Sequence, residues 1–158
     1  EVRSSQKEEA LMTDLKGRLA ADLKTAMKEK DKVRKDVIQL IRAGIQQVEK
    51  DEQVILDDSG AEKVVQKELK KRQETIAELR GQRPETIAEL EHEIELIQSY
   101  LPEQLSEEAL NRLIDEAIAE VGATSMKDMG QVMKVLMPKV GTQADGKTVN
   151  LRLREKLN

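Results

Sequence analysis

A short run near the C-terminus has the residue types and spacing of a phosphate-binding loop. The segment Gly141–Thr148 fits the pattern G-x-x-x-x-G-K-[ST], in which backbone amides and a lysine surround bound phosphates. Such a loop works when it follows a buried strand and begins a helix. Here a methionine-rich helical stripe precedes it, and only ten residues follow Thr148. Nucleotide hydrolysis is therefore not expected, although a glycine-rich turn beside Lys147 suits contact with a backbone phosphate.

The positive charge of the chain is concentrated in its last quarter. The net charge is −4 over 158 residues, whereas residues 122–158 carry seven Lys/Arg and three acids, a net charge of +4. An acidic protein with a basic tail is compatible with a polyanion partner, because lysine and arginine bind phosphate oxygens. The candidate nucleic-acid-binding residues are Lys127, Lys134, Lys139, Lys147, Arg152 and Arg154.

Other side chains that could take part in catalysis or binding have simpler interpretations. His92 lies between two glutamates, which is typical of a solvated surface. The helically spaced methionines 126, 129, 133 and 137 suit either a core or an adaptable binding surface, and a small bundle without aromatic residues favours the core. The cluster Lys67–Arg72 is a possible phosphate-contacting face but is more typical of a solvated helix. Carboxylate pairs such as Asp57-Asp58 indicate helix capping, and no acid–base catalytic pair is predicted.

The composition excludes several classes of site. The chain has no Cys, Trp or Phe, and it has one His and one Tyr. Without cysteine there is no disulfide framework, thiolate metal site or cysteine nucleophile, and one imidazole leaves zinc without its usual ligands. With so few aromatic rings, the chain has no platform on which nucleic-acid bases could stack. No apolar stretch exceeds three residues, so no membrane span or signal-peptide core is expected. No metal or cofactor is predicted.

Helices are the elements that must position these residues. Apolar residues recur every three to four positions almost throughout, in a chain rich in helix-forming Glu, Lys, Leu, Ala and Gln. Thr13 and Asp31 are predicted to cap the first two helices. Residues 51–60 interrupt the period and are predicted to form a loop. The apolar stripes of the first four predicted helices are Leu15/Leu19/Leu23/Met27, Val33/Val37/Ile41/Ile45/Val48, Val65/Leu69/Ile76/Leu79 and Ile87/Leu90/Ile94/Ile97/Leu101.

Shorter helices follow Pro102, which ends the fourth stripe. Ser106 and Ser125 have the chemistry of helix N-termini, Pro138 and Gly141 are predicted to close the methionine-rich helix, and Asp145 is predicted to cap the last one. No segment shows convincing strand alternation. The sequence therefore predicts an all-α fold.

The predicted organisation has two domains. Residues 1–11 lack an apolar period and are interpreted as an upstream or disordered segment, with Met12 as a possible native start. Residues 12–100 are predicted to form a long helical hairpin domain, residues 101–105 a linker, and residues 106–158 a small bundle of three helices.

An ordered series of motifs gives the chain a family resemblance. The motifs are Leu23-Lys-x-Ala-Met-Lys-x-Lys-Asp, Tyr100-Leu-Pro-Glu-Gln-Leu, Ala119-Glu-Val-Gly-Ala, Asp128-Met-Gly-Gln-Val-Met, Leu136-Met-Pro-Lys and Ala144-Asp-Gly-Lys-x-Val-Asn. Together they closely resemble the YqeY-like, GatB/YqeY family. The length from Met12 to Asn158 is that of a complete standalone member.

The resemblance implies a C-terminal bundle similar to the tail of the B subunit of the tRNA-dependent amidotransferase. In that carbon–nitrogen ligase, which uses glutamine as amido donor, the tail recognises the body of tRNA, and catalysis occurs in domains that this chain lacks. One departure from the family pattern is local: Gly141-Thr-Gln-Ala replaces a more basic segment of the Lys-Gly-Lys-Ala type.

Two functional hypotheses follow. The first is a non-catalytic, cytoplasmic accessory protein that binds tRNA or structured RNA through its basic C-terminal bundle, with the amidotransferase or other translation components as possible partners and no membrane association. The alternative is a protein–protein interaction adaptor that uses the heptad-like stripe Ile87–Leu101 and the methionine face. An enzyme in its own right is the least favoured hypothesis, because the composition supplies few nucleophiles and no metal cage.

Overall fold

The computed structural model describes residues 14–158, and over that range the protein is helical. Residues 14–158 contain seven α-helices, one short 3-10 helix and no strand. The all-α prediction is confirmed. The segment 1–11, Met12 and the predicted cap Thr13 lie outside the described residues. Within the described range, no helix combines the length and the apolar character needed to cross a membrane.

The chain divides into two compact units between Leu101 and Pro102. Residues 14–101 of the first unit contain four helices, in which α1 packs on α2 and α3 packs on α4. Their bounds are α1 Leu15–Lys28, α2 Lys32–Glu52, α3 Asp58–Leu79 and α4 Pro84–Gln98.

All four helices of the first unit, with Tyr100 just after α4, contribute to one apolar core. Helices α2 and α3 approach closely at Gly44, where an added Cβ would lie 3.0 Å from Cγ1 of Val64. The buried residues are Leu15, Leu19, Val37, Ile38, Ile41, Ile45, Ala61, Val65, Leu69, Ile97 and Tyr100. Met27 and Val33, each on a predicted stripe, are instead exposed, because they lie beside the α1–α2 turn.

Two aspartates organise the start of α1. Asp14 is its N-cap and accepts a hydrogen bond from the amide of Lys16 at 3.1 Å. Asp58, in the first turn of α3, accepts one from the amide of Leu15 at 3.1 Å. The hydrogen bond between the two carboxyl groups raises the pKa of Asp14, with burial adding to the effect.

A glutamate fastens the connection between α2 and α3. The carboxylate of Glu49 accepts hydrogen bonds from Nζ of Lys16 on α1 and, at 2.8 Å, from the amide of Leu56 in the connecting loop. These two donors lower the pKa of Glu49, the lysine having the larger effect. One side chain thus joins α1, α2 and the loop after α2.

The far part of the α3–α4 hairpin lies outside the core. No residue between 70 and 96 is buried. A polar cluster marks where the buried part of α3 ends: the side chain of Arg72 contacts Glu68 at 3.0 Å and Glu93 at 3.4 Å. Because only 11% of the Arg72 side chain is exposed, Arg72 is not part of a solvated or phosphate-contacting face. It joins α3 to α4.

The second unit packs three helices around a separate core. The Oγ of Ser106 caps α5 by accepting from the amide of Ala109, and α5 ends at Gly122 with a positive φ of 73°. The helical segments are α5 Glu107–Val121, a 3-10 turn Met126–Asp128, α6 Met129–Val140 and α7 Gly146–Leu157. The buried residues are Leu110, Ile114, Ala117, Val132, Leu136, Val140, Ala144, Val149, Leu153 and Leu157.

Three predicted element boundaries are corrected. Asp14 rather than Thr13 is the N-cap of α1. The predicted loop at 51–60 shortens to residues 53–57, because Asp57 caps α3 by accepting from the amide of Gly60 at 2.9 Å. Gly141 is the C-cap of α6, as predicted, but Pro138 does not end that helix, which continues to Val140 although proline has no N–H for an intrahelical hydrogen bond.

Candidate nucleic-acid interface

The six predicted phosphate-contacting residues lie on three segments of the second unit. Lys127 is in the 3-10 turn, Lys134 and Lys139 are on α6, and Lys147, Arg152 and Arg154 are on α7. The structure separates them into two groups, according to whether an acidic side chain of α5 already neutralises them.

Part of the basic tail is neutralised within the unit itself. Two of the six predicted residues, together with Lys156, form ion pairs with acidic residues of α5. The pairs are Lys139–Glu120 at 2.9 Å, Arg152–Glu107 at 2.5 Å and Lys156–Asp115 at 2.5 Å. Exposed pairs of this kind contribute little to stability, typically less than about 1 kcal/mol, but they reduce the positive potential offered to a ligand. Lys139 and Arg152 are therefore weaker candidates than the sequence suggests.

One face of α7 keeps its charge. Lys147, Leu151 and Arg154 are four and three residues apart, so they share a side of the helix opposite the buried Val149 and Leu153. Both basic side chains are exposed, and neither forms an ion pair with any residue in the range 14–158. Leu151 is 53% exposed between them. This face, Lys147/Leu151/Arg154, is the α7 basic face.

The other two candidates are also unpaired. Lys134 is exposed on the side of α6 away from the buried Val132 and Leu136, and Lys127 is exposed in the 3-10 turn. Neither has an ion-pair partner in the described part of the chain. The backbone around Lys127 is held by Ser125, whose Oγ lies 3.4 Å from the Lys127 amide.

The segment that matches the phosphate-loop pattern is a connection between two helices. It follows α6, not a strand, and its backbone carbonyls accept hydrogen bonds from the segment that precedes α5. The carbonyl of Gln143 accepts from the amide of Leu105 at 2.8 Å, and that of Thr142 accepts from the side-chain amide of Gln104 at 3.1 Å. The arrangement is that of a structural loop, with Lys147 exposed at its end.

Most of the apolar side chains proposed for the adaptor alternative pack against the core of their own unit. Ile97 is fully buried in the first core, and Ile94 and Leu101 pack against that core. Of the methionine stripe, Met129, Met133 and Met137 pack against the second core, and Met126 is 39% exposed. The core interpretation of the stripe therefore fits all but its first member.

The remaining polar candidates lie apart from one another. His92 is exposed on α4, as its glutamate neighbours suggest. Within residues 14–158, no three His, Asp or Glu side chains come close enough to hold a metal ion. Asp57 and Asp58 serve helix N-termini, which agrees with the capping interpretation.

The sequence analysis missed a dense group of cations in the first unit. Residues 24–35 carry six Lys/Arg and two acids, a net charge of +4 within twelve residues, whereas the basic tail needs 37 residues to reach the same value. The first hundred residues together carry 19 Lys/Arg and 22 acids, a net charge of −3, because acidic stretches elsewhere outweigh the group. A short sliding window of net charge would have found it.

Comparison with known proteins adds two findings. The family model described as Yqey-like protein matches residues 16–157, nearly the whole chain. Among curated proteins, the chain is 29% identical over 142 residues to altered inheritance of mitochondria protein 41, mitochondrial, from Pyrenophora tritici-repentis (strain Pt-1C-BFP). That match covers 87% of this chain and 78% of the fungal protein.

Proposed function

The chain belongs to the Yqey-like protein family, and we propose that it is a non-catalytic accessory protein that binds the phosphate backbone of tRNA or another structured RNA. The observation that supports this proposal best is the α7 basic face, where Lys147 and Arg154 are exposed and unpaired. Lys134 and Lys127 are outer contacts, and Lys139 and Arg152 play a smaller part because α5 neutralises them.

The chemistry of these residues defines the kind of recognition. Lysine and arginine bind phosphate oxygens and position a nucleic acid without reading its sequence. The chain has no Phe or Trp, and its single Tyr, Tyr100, is buried in the first core, so bases have no exposed phenol or indole ring to stack on. The protein is therefore expected to recognise the shape and charge of a folded RNA.

The resemblance of the second unit to an amidotransferase tail belongs to this proposal. Under this proposal the chain is an accessory part of an enzyme of tRNA modification, with the carbon–nitrogen ligase chemistry carried by other domains. The small bundle of three helices is the part that would contact tRNA. The amidotransferase and other translation components are the proposed protein partners.

Salt-dependent binding of bulk tRNA tests the proposal. Wild-type protein is compared with the double variant Lys147→Glu/Arg154→Glu and with Lys63→Glu/Lys67→Glu. The second pair makes the same change of charge on an exposed, unpaired stretch of α3 and serves as the control. We expect the α7 variant to bind at least about tenfold more weakly near 0.1 M salt. The slope of log K against log salt should also decrease by roughly 1 to 2.

Two results would contradict this site assignment. Binding by the α7 variant that equals wild type would exclude the α7 basic face. An equal loss in the α3 control would attribute the effect to net charge alone. Absence of tRNA binding by wild-type protein at low salt would refute the proposed function itself and favour the adaptor alternative, which light scattering and partner capture would then address.

A cytoplasmic location is part of the proposal and stays a prediction. The name of the fungal relative places that protein in mitochondria. Fractionation of cells that express a tagged protein would distinguish the two locations, since recovery with an organelle would contradict the prediction.

A further inference from the structure

Five lysines in and beside the turn between α1 and α2 form no ion pair with any residue of the described range. We name them the basic corner: Lys24, Lys28, Lys30, Lys32 and Lys35. The first four are exposed and Lys35 is half-buried. Three of them, Lys30, Lys32 and Lys35, line a cleft of about 360 Å³ together with Ala26, Met27 and Asp31.

The carboxylates of two aspartates beside the basic corner already have partners within the first unit. Asp31 caps α2, its Oδ1 accepting from the amide of Arg34 at 3.2 Å. Asp22 accepts from the hydroxyl of Tyr100 at 2.5 Å and lies 3.9 Å from the guanidinium of Arg34. Glu29 and Asp36 are the exposed acids beside the corner, against five lysines. The local net charge is therefore positive, and the N-terminus of α2 adds to it.

From this arrangement we propose that the basic corner is a second RNA-backbone site, located in the first unit and separate from the α7 basic face. Lysine is a compact point charge suited to single phosphate oxygens. Lys24 and Lys28 are one turn apart on α1, and Lys32 and Lys35 are one turn apart on α2, with Cβ separations of about 5–6 Å within each pair. The corner thus carries one pair of cations on each helix, and the α2 pair lines the cleft. The inference rests on the proposed function in taking RNA as the ligand.

The corner combines its five cations with two exposed apolar side chains, Met27 at 57% and Val33 at 44% exposed. An anionic membrane binds a surface of this kind through charges and apolar contacts together. An RNA backbone needs only the cations, and the proposed function makes RNA the ligand for which the corner is tested. Binding to vesicles of anionic lipid is the competing outcome of that test.

The test uses the full chain and three matched double variants. Lys28→Glu/Lys32→Glu reverses the corner, Lys147→Glu/Arg154→Glu reverses α7, and Lys63→Glu/Lys67→Glu is the control with the same charge change. Binding of bulk tRNA is measured across salt concentration, with far-ultraviolet circular dichroism as the folding check. We expect the corner variant to bind at least about tenfold more weakly near 0.1 M salt, with a lower salt slope, and the control to change little.

A single substitution tests whether weaker tRNA binding could result from unfolding. Lys30 has a positive φ of 58°, a conformation that glycine adopts without strain. Lys30→Gly therefore removes one charge from the corner and leaves the fold intact or stabilised. We expect a measurable loss of tRNA affinity of a few-fold and a lower salt slope, without loss of helical signal.

The outcomes separate this inference from the proposed function. If the corner variant binds as tightly as wild type while the α7 variant is weakened, the inference is overturned and the proposed function stands. If only the corner variant is weakened, the inference is supported and the α7 assignment falls. If wild-type protein binds no RNA at low salt, both fall, and binding to vesicles of anionic lipid that the corner variant loses would assign the lysines to a membrane surface.

Discussion

Tyr100 shows how one side chain can carry much of the polar organisation of a small core. It is 4% exposed, and its hydroxyl donates to Asp22 of α1. Arg18 lies over the ring, with its guanidinium carbon 5.3 Å from the centroid, and also donates to the carbonyl of Ser99 at 2.9 Å. Burial, followed by the neighbouring carboxylate of Asp22, raises the pKa of Tyr100 well above its ordinary value near 10.

The raised pKa of Tyr100 predicts a loss of stability in alkali. Below about pH 10 the phenol is protonated in both the folded and the unfolded protein, so its contribution is complete. Above that pH the unfolded chain loses the proton first, and this group should lower the free energy of unfolding by up to about 1.4 kcal/mol per pH unit.

The variant Tyr100→Phe isolates the contribution of this hydroxyl. At pH 7 we expect it to be less stable by about 1–3 kcal/mol, because the hydrogen bond to Asp22 is lost. Its stability should fall less steeply than that of wild type between pH 10 and 11. Urea unfolding followed by far-ultraviolet circular dichroism measures both effects, and parallel pH profiles for the two proteins would contradict the assignment.

At the scale of elements, the approach of α2 to α3 depends on the absence of a side chain. An added Cβ at Gly44 would lie 3.0 Å from Val64, whereas one at Gly130 on α6 would meet nothing within 4 Å. Both glycines lie inside helices, so both carry the entropic cost of glycine there. Only at Gly44 does packing oppose a larger residue.

The two glycines should therefore respond in opposite directions to substitution. Gly44→Leu is expected to lower the free energy of unfolding by about 1–3 kcal/mol, because it forces α2 and α3 apart. Gly130→Ala should raise it by about 0.5–1 kcal/mol through helix propensity. Denaturant unfolding monitored by circular dichroism compares them, and a neutral Gly44→Leu would mean that the α2–α3 contact is easily adjusted.

Most helices could be predicted from the sequence, because apolar periodicity reports which face is buried. The errors occur where one local signal admits two structures. Asp-Asp-Ser-Gly at 57–60 is turn chemistry, but here it caps α3. Proline usually stops a helix, but α6 continues for two residues beyond Pro138, to Val140.

The candidate site was less predictable because it depends on contacts between elements. The charges of Lys139 and Arg152 are visible in the sequence, but their pairing with Glu120 and Glu107 of α5 follows from how the second unit packs. The basic corner, in contrast, was present in the sequence as a short charged stretch. Averaging over a long segment removed that signal.

At the scale of the whole molecule, the two units have cores with no residue in common. The second unit, Pro102–Asn158, is of a size at which a single core is marginal. Leu136→Ala in its centre should lower the stability of that unit by about 2–5 kcal/mol.

Hydrogen exchange measures this effect unit by unit. Amides of α5 and α6 should exchange faster in Leu136→Ala, whereas those of α2 should keep their protection. Ile41→Ala, an equally buried change in the first core, is the matched control and should give the reverse pattern. Equal acceleration in both units would show that they unfold together.

The single aromatic residue also determines what light can report about this protein. Tyr100 is the only chromophore of the chain beyond the peptide bonds, and it lies in the first unit. An excited phenol transfers its proton readily to a hydrogen-bonded carboxylate, so Asp22 should keep the emission of the folded protein dim, and release of the pair should brighten it. Intrinsic fluorescence is therefore a label-free indicator of the first unit, while events confined to the second unit leave the tyrosine emission unchanged.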